Sequence, residues 1–186
     1  MKAVIALLVI TIVQAACKKE ADTTPPQLTV PFVNTDLTQR FIPFGEILSS
    51  GKENPAYDIY LSDSIQDVIA SCGGRVIEVR RNENIADYKI EIEPFEYSVY
   101  KVYYYHIKDP VVSQGQFINA GDQIGTIGIG GRTELQIIDI RDGESVCLES
   151  FASAGFNAAI NVAMTKTNLQ NGTSYSLPCT RDKVHP

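Results

Sequence analysis

The chain has only two histidines, His106 and His185. That count excludes a histidine-rich metal centre and any reaction that needs more than two imidazoles. There is no basic cluster beyond Lys18-Lys19, and 16 lysines and arginines face 22 acidic residues, a net charge of −6. This balance argues against nucleic-acid binding and against electrostatic docking on an anionic polymer. The four cysteines, Cys17, Cys72, Cys147 and Cys179, have no close ligand spacing, so a cysteine-based metal site is not indicated. The apolar run from Ala3 to Val13 has 11 residues, well short of the roughly 20 that a membrane-spanning helix needs.

That run instead sits in the layout of a secretory signal. Lys2 supplies a positive charge, the aliphatic stretch follows, and Gln14-Ala15-Ala16-Cys17 closes it with small residues before a cysteine. A buried N-terminal helix or strand fits less well, because no polar face interrupts the run and two lysines follow Cys17 directly. The site resembles the lipobox of bacterial lipoproteins, although Gln14 stands where that family usually has Leu. The resemblance implies lipidation of Cys17 and a membrane-anchored protein of the bacterial cell envelope, facing the periplasm. Buried acyl chains contribute roughly 0.8 kcal/mol per methylene, so several of them hold a protein on a membrane.

The expected organisation is a signal peptide over residues 1–16, then the lipidated cysteine and a tether over 17–41. The tether reading rests on Thr23-Thr24-Pro25-Pro26 and a scarcity of aromatics. Residues 42–150 form one domain with room for a core, and 151–186 a C-terminal extension. With Cys17 lipidated, an exported chain would carry one disulfide and one free thiol. A Cys147–Cys179 bridge would pin the tail, and Cys72 is an equal candidate for pairing.

The middle of the chain is written in β patterns. Arg75 to Arg80 follows the turn signal Gly73-Gly74. Tyr88 to Glu93 alternates strictly, with Tyr88, Ile90 and Ile92 on one face and Lys89, Glu91 and Glu93 on the other. Val99 to Ile107, Gln123 to Ile129 and Glu134 to Ile140 complete the set. The run Gly125-Thr126-Ile127-Gly128-Ile129-Gly130-Gly131 is not a nucleotide loop, because strand-type sequence continues after it where a helix should open. Phe151 to Met164 is small and apolar, a short helix or irregular. Asn171-Gly172-Thr173 matches a glycosylation triplet, which in a bacterial lipoprotein is a chance match.

Three stretches in order resemble the lysostaphin-type, LytM-like family of zinc peptidoglycan endopeptidases. The first is Asn54-Pro55-Ala56-Tyr57-Asp58-Ile59, continuing into Val68-Ile69-Ala70 and Gly74-Arg75-Val76, where the family reads His-x-Gly-x-Asp, a Val-x-Ala strand and Gly-x-Val. The second is Tyr104-Tyr105-His106-Ile107, against Tyr-x-His-Leu. The third is the glycine-spaced run Gly115, Gly121-Asp122, Gly125 and Gly128, leading to Glu134-Leu135-Gln136, where the family has His-Leu-His. The resemblance covers roughly residues 42–148. It implies an all-β domain, a small two-sheet antiparallel sandwich of the barrel-sandwich hybrid type, around a groove.

Zinc hydrolysis of a peptide needs three protein ligands, an open position for water and a group to take the water's proton. Carried over position by position, the family's site is broken. Asn54 replaces the first ligand histidine, Gln136 replaces the third ligand, and Glu134 replaces a catalytic histidine. Asp58 matches the ligand aspartate and His106 a catalytic histidine, and these two are the remnants. Neutral amides are weak zinc ligands beside imidazole, so no cofactor is expected and zinc least of all. A loosely held hard cation at Asn54, Asp58 and Gln136 is a minor alternative.

The resemblance then implies a non-catalytic envelope protein. Its partner would be peptidoglycan peptide or a cell-wall hydrolase that it regulates, bound in a groove of Asp58, His106, Glu134, Gln136 and Tyr104. Tyr100, Tyr103 and Tyr105 offer further flat contact area there, or serve cross-strand packing. An active metallopeptidase with a rearranged site of Glu134, Asp58 and His106 is the alternative. A biotinyl or lipoyl carrier shares the hairpin spacing but needs a lysine at a hairpin tip, and Gly73-Gly74 is followed by Arg75.

Overall fold

The structure is a computed structural model that describes residues 19–63 and 65–186. The expected signal peptide and the lipidation site Cys17 lie outside the described residues. Among those residues the chain forms eleven strands: β1 Thr38–Ile42, β2 Tyr57–Leu61, β3 Asp67–Ile69, β4 Gly74–Arg81, β5 Tyr88–Glu93, β6 Tyr100–Lys108, β7 Phe117–Ile118, β8 Gln123–Ile127, β9 Arg132–Asp139, β10 Glu144–Val146 and β11 Lys183–Val184. One helix, α1, spans Ala154–Asn171. No helix among the described residues is long and apolar enough to cross a membrane.

All strand pairs are antiparallel, and the main path runs β1-β2-β9-β6-β5-β4-β7 without closing. The all-β, peptidase-like architecture expected from the sequence is therefore what the chain adopts. β6 is the hub. On one side it pairs with β5 from Val102 to Ile107; on the other it pairs with β9 from Tyr100 to Tyr105, and then with β8 through its last two residues, Ile107 and Lys108. His106 stands at the crossover with φ of 56°. Gly128 lies against this bend. A Cβ there would come within 2.4 Å of the His106 carbonyl oxygen, so only glycine permits the approach.

Alternation decides what faces the core. Ile90, Ile92, Val102, Tyr104, Leu135 and Ile137 are buried and pack with Val68, Ile124 and Ile127. The Tyr104 hydroxyl accepts a hydrogen bond from the Ser71 amide at 2.7 Å, so its ring crosses the core to the segment after β3. Tyr104 is thus a core residue, not a groove residue. Its neighbours Tyr103 and Tyr105 take the opposite face, where their rings stack with centroids 6.0 Å apart.

The expected tether is not one from Leu28 onward. Leu28, Phe32 and Val33 are buried, and Leu28 exchanges main-chain hydrogen bonds with Phe151 and Ser153 at 2.8 Å. Residues 38–42 then form the edge strand β1. The spaced apolar residues of this stretch bury enough surface to outweigh its prolines.

The C-terminal extension also joins the core. Its helix is longer than the sequence pattern indicated and starts later. Ser153 caps the N-terminus by accepting from the Phe156 amide, and Gly172 ends the helix in a left-handed conformation, φ 65°. That explains the Asn171-Gly172 pair as a helix stop. Phe156, Ile160, Ala163, Met164 and Thr167 form the buried stripe. The Thr167 hydroxyl accepts from the Phe41 amide at 2.7 Å and donates to the Ala163 carbonyl at 3.0 Å. The tail returns through a Cys147–Cys179 disulfide and the β10–β11 pair. Cys72 is the buried free thiol, its pKa pushed up to about 12 by burial, which leaves it inert.

Candidate functional site

The polar face of β2, β9 and β6 carries the candidate site. Asp58 lies directly opposite Glu134, Tyr60 opposite Arg132, and Glu134 opposite Tyr105. Arg132 and Glu134, two apart on one strand, project to the same side. The Arg132 guanidinium reaches across to Asp58 as a two-pronged fork, Nε to Oδ1 at 3.0 Å and Nη2 to Oδ2 at 2.9 Å. The same Nη2 bonds Glu134. His106 Nε2 lies 3.3 Å from the same Glu134 oxygen, and His106 Nδ1 is 2.7 Å from Asp87 Oδ2. Asn82 completes the chain by donating to Asp87.

The result is one continuous network, Arg132 and Asp58 to Glu134, His106 and Asp87. Asp58 and Asp87 are fully buried, whereas Arg132 and His106 retain some solvent contact. Burial pushes the Asp58 carboxyl up to about 6, opposed by the Arg132 fork. For His106, burial alone would lower the pKa, but the hydrogen bonds to Glu134 and Asp87 outweigh it and hold the ring above its usual 6.5.

The residues present do not fit a zinc ion. Both Asp58 oxygens are held by a cation, and a guanidinium cannot be deprotonated to make way. Asn54 is buried, and its amide nitrogen faces the carbonyls of Ile42, Pro43 and Ala56 at 2.9 to 3.1 Å. Through these bonds to main-chain carbonyls it fastens the approach to β2. Gln136 is drawn away to Ser145 on β10, with Nε2 to Oγ at 2.6 Å. Asp58, Glu134 and His106 are therefore brought together, and Asn54, Gln136 and Tyr104 are not. Elsewhere among the described residues Cys147, Glu149 and Cys179 converge, but both sulfurs are in the disulfide.

A cleft of about 460 Å³ opens beside the network, walled by Arg40, Ile42, Glu46, Tyr60, Arg132 and Tyr175. The Arg132 and Arg40 guanidiniums lie 5.6 and 5.7 Å from the Tyr60 ring centroid. Two larger hollows, of about 590 and 580 Å³, lie elsewhere, one at the disulfide end beside Tyr100 and Phe151, the other beside Arg75, Phe95 and Phe117. Neither contains the charged network.

Sequence reasoning missed Arg132, Asp87 and Tyr60. Arg132 was within reach, since it lies two residues before Glu134 on the same strand. Asp87 gave no signal, because its contact with His106 depends on the bend in β6. Tyr60 needed the β2–β9 register.

The pattern of the peptidase family M23 matches residues 53–146. Three solved structures share the fold. Lysostaphin from Staphylococcus simulans is 14% identical with a TM-score of 0.55, the match covering 73% of this chain and 55% of that one. A chain of the SpoIIIAH–SpoIIQ complex is 18% identical with a TM-score of 0.54, covering 66% and 97%. Csd3 of Helicobacter pylori is 15% identical with a TM-score of 0.54, covering 81% and 43%. The chain thus spans about half of lysostaphin's length and less of Csd3's. No curated protein sequence matches it significantly. At these identities the structural likeness establishes the fold alone.

Proposed function

The chain belongs to peptidase family M23, and on that footing we propose that it is a non-catalytic member: a lipid-anchored protein of the bacterial cell envelope whose groove binds cell-wall peptide. The observation that carries this reading is the Arg132 fork on Asp58. An arginine closes over the carboxylate that a zinc ligand would have to keep free. With Asn54 and Gln136 both committed to structural hydrogen bonds, the family's three-ligand set is not assembled among the described residues.

The surface left by that substitution suits recognition. Tyr60, Tyr103 and Tyr105 present flat rings with few rotatable bonds. Within the network three carboxylates, Asp58, Asp87 and Glu134, face one guanidinium and one imidazole. A groove of about 460 Å³ accommodates a short peptide segment. A fold neighbour from a two-protein complex, SpoIIIAH–SpoIIQ, supports the further reading that a partner protein, such as a cell-wall hydrolase, docks on the same domain.

The test combines metal analysis of the purified protein, digestion of isolated cell walls and calorimetric titration with soluble cell-wall peptides. Binding without stoichiometric zinc and without cleavage is expected. Stoichiometric zinc, with cleavage lost in His106→Gln, would replace this reading with an active peptidase using Asp58, Glu134 and His106. That alternative draws on the convergence of those three side chains in one network.

A further inference from the structure

The exposed aromatic rings of the described residues are not scattered. Phe95, Tyr97 and Phe117 are 38%, 42% and 78% exposed, and all three lie at one end of the sheet. Phe117 pairs with Arg75 across β7 and β4, and Arg75 with Glu93 across β4 and β5. Phe95 and Tyr97 sit in the loop between β5 and β6. Ile140, 52% exposed, lies at the same end, its amide donating a hydrogen bond to the Val99 carbonyl at 2.9 Å. Phe95 and Phe117 rim the hollow of about 580 Å³.

The N-terminal segment is fastened to this same loop. The Asp22 amide donates to Tyr97 at 2.9 Å and the Val99 amide to Asp22 at 2.8 Å. The Lys19 ammonium lies 3.2 Å from Glu96 and 4.4 Å from the Tyr97 ring centroid. Cys17 is two residues earlier in the chain. Whatever their conformation, two residues reach no further than about 7 Å.

We propose that this aromatic end, built from Phe95, Tyr97, Phe117 and Ile140, is a membrane-contact surface resting on the bilayer that holds the Cys17 anchor. The proposal rests on the lipoprotein reading above. With Lys19 docked there is no slack to turn this end away from the lipid. A protein occupant would have to fit between the domain and the bilayer within the reach of two residues. Rings and an aliphatic side chain beside an acyl anchor add buried apolar area to the attachment. The surface also fixes the groove's direction. From Tyr100 to His106 along β6 is six residues, about 20 Å at strand rise. The charged network therefore stands at the far end of the domain, facing away from the membrane toward the cell wall.

The chain contains no tryptophan, so one introduced indole reports without background. The full-length protein, purified with its lipid, is placed in phosphatidylethanolamine–phosphatidylglycerol vesicles with brominated acyl chains, as Phe117→Trp, Ile140→Trp and Ile129→Trp. Ile129 is 59% exposed and precedes Arg132, at the groove end. Phe117→Trp and Ile140→Trp should each lose at least about half their emission to the bromines, as expected of side chains about 5–10 Å into the headgroup boundary, with Ile129→Trp unchanged. Intact mass separates the two ways of failing. An acylated protein with Phe117→Trp and Ile140→Trp unquenched, or with all three positions quenched alike, overturns the surface assignment. A blue shift without bromine quenching does the same by pointing to a protein occupant. A chain without acyl mass on Cys17 overturns the lipoprotein reading and the proposal together.

Discussion

Arg132 carries more consequence than any other single side chain in the groove. It pairs with Asp58, which is fully buried, and with Glu134 beside it. Truncating one partner costs about 3–5 kcal/mol in a buried pair and about 1 or less in an exposed one. Arg132 is 31% exposed, so Arg132→Met should destabilise the domain by about 2 kcal/mol in urea denaturation. Pairing it with Asp58→Asn should recover part of that loss, since no unpaired carboxylate then remains buried. His106 gives a second test at this scale. Its folded pKa lies above the unfolded value of 6.5. Its contribution is therefore fully present below 6.5 and lost as the pH rises through the folded pKa. The melting temperature of the native chain should exceed that of His106→Gln most at pH values below 6.5, and the gap should close with rising pH. A gap that widens above neutrality would contradict the network. Glu134 and Asp87, the groups that raise the pKa, differ in legibility: Glu134 was visible two places from Gln136, whereas Asp87 is brought to His106 only by pairing.

At the level of elements, two contacts hold the frame of the site. Helix α1 docks on β1 through Thr167, whose hydroxyl satisfies a buried main-chain amide at Phe41. Thr167→Val keeps the shape and leaves that amide unpartnered, so a loss of about 1–3 kcal/mol is expected on denaturation. Gly128 admits the bend of β6 at His106. A methyl group there would meet the His106 backbone at 2.4 to 2.9 Å. Gly128→Ala should cost about 1–3 kcal/mol and weaken the peptide binding proposed above, because it displaces His106 from Glu134. The strands that could be read in advance, β4, β5, β6, β8 and β9, are those with period-two patterns and turn residues at their ends. The helix was underestimated because its buried stripe is built of alanine, threonine and methionine beside two large residues, a weak contrast with its exposed face. β1, β7, β10 and β11 are short or edge strands whose pairing, not their composition, defines them.

For the molecule as a whole, the disulfide is the closure of the fold. It joins the segment after β10 to the tail 32 residues on, returning the chain beyond α1 to the sheet. The loop-closure relation gives about 3–4 kcal/mol for such a bridge. Reduction, or Cys147→Ser with Cys179→Ser, should lower denaturation stability by that order while Cys72 stays unreactive to thiol reagents in the folded protein. Labelling of Cys72 at the rate of an exposed thiol would refute its burial.

The sequence by itself determined the β framework, the order of the family's motif positions and the shortage of imidazoles. These depend on local periodicity, glycine spacing and a count, none of which needs a partner from elsewhere in the chain. The tertiary structure alone decided that an arginine fork closes over Asp58, that Gln136 and Asn54 turn to structural bonds, and that Tyr104 enters the core while Tyr103 and Tyr105 face out. It also decided that the expected tether packs against the domain from Leu28 onward and that Lys19 and Asp22 lie beside the exposed aromatics. Such outcomes follow from which strands lie side by side and in what register. A shift of one residue exchanges the two faces of a strand, so a side chain's partners across the sheet are set by pairing rather than by the residue's own neighbours in sequence.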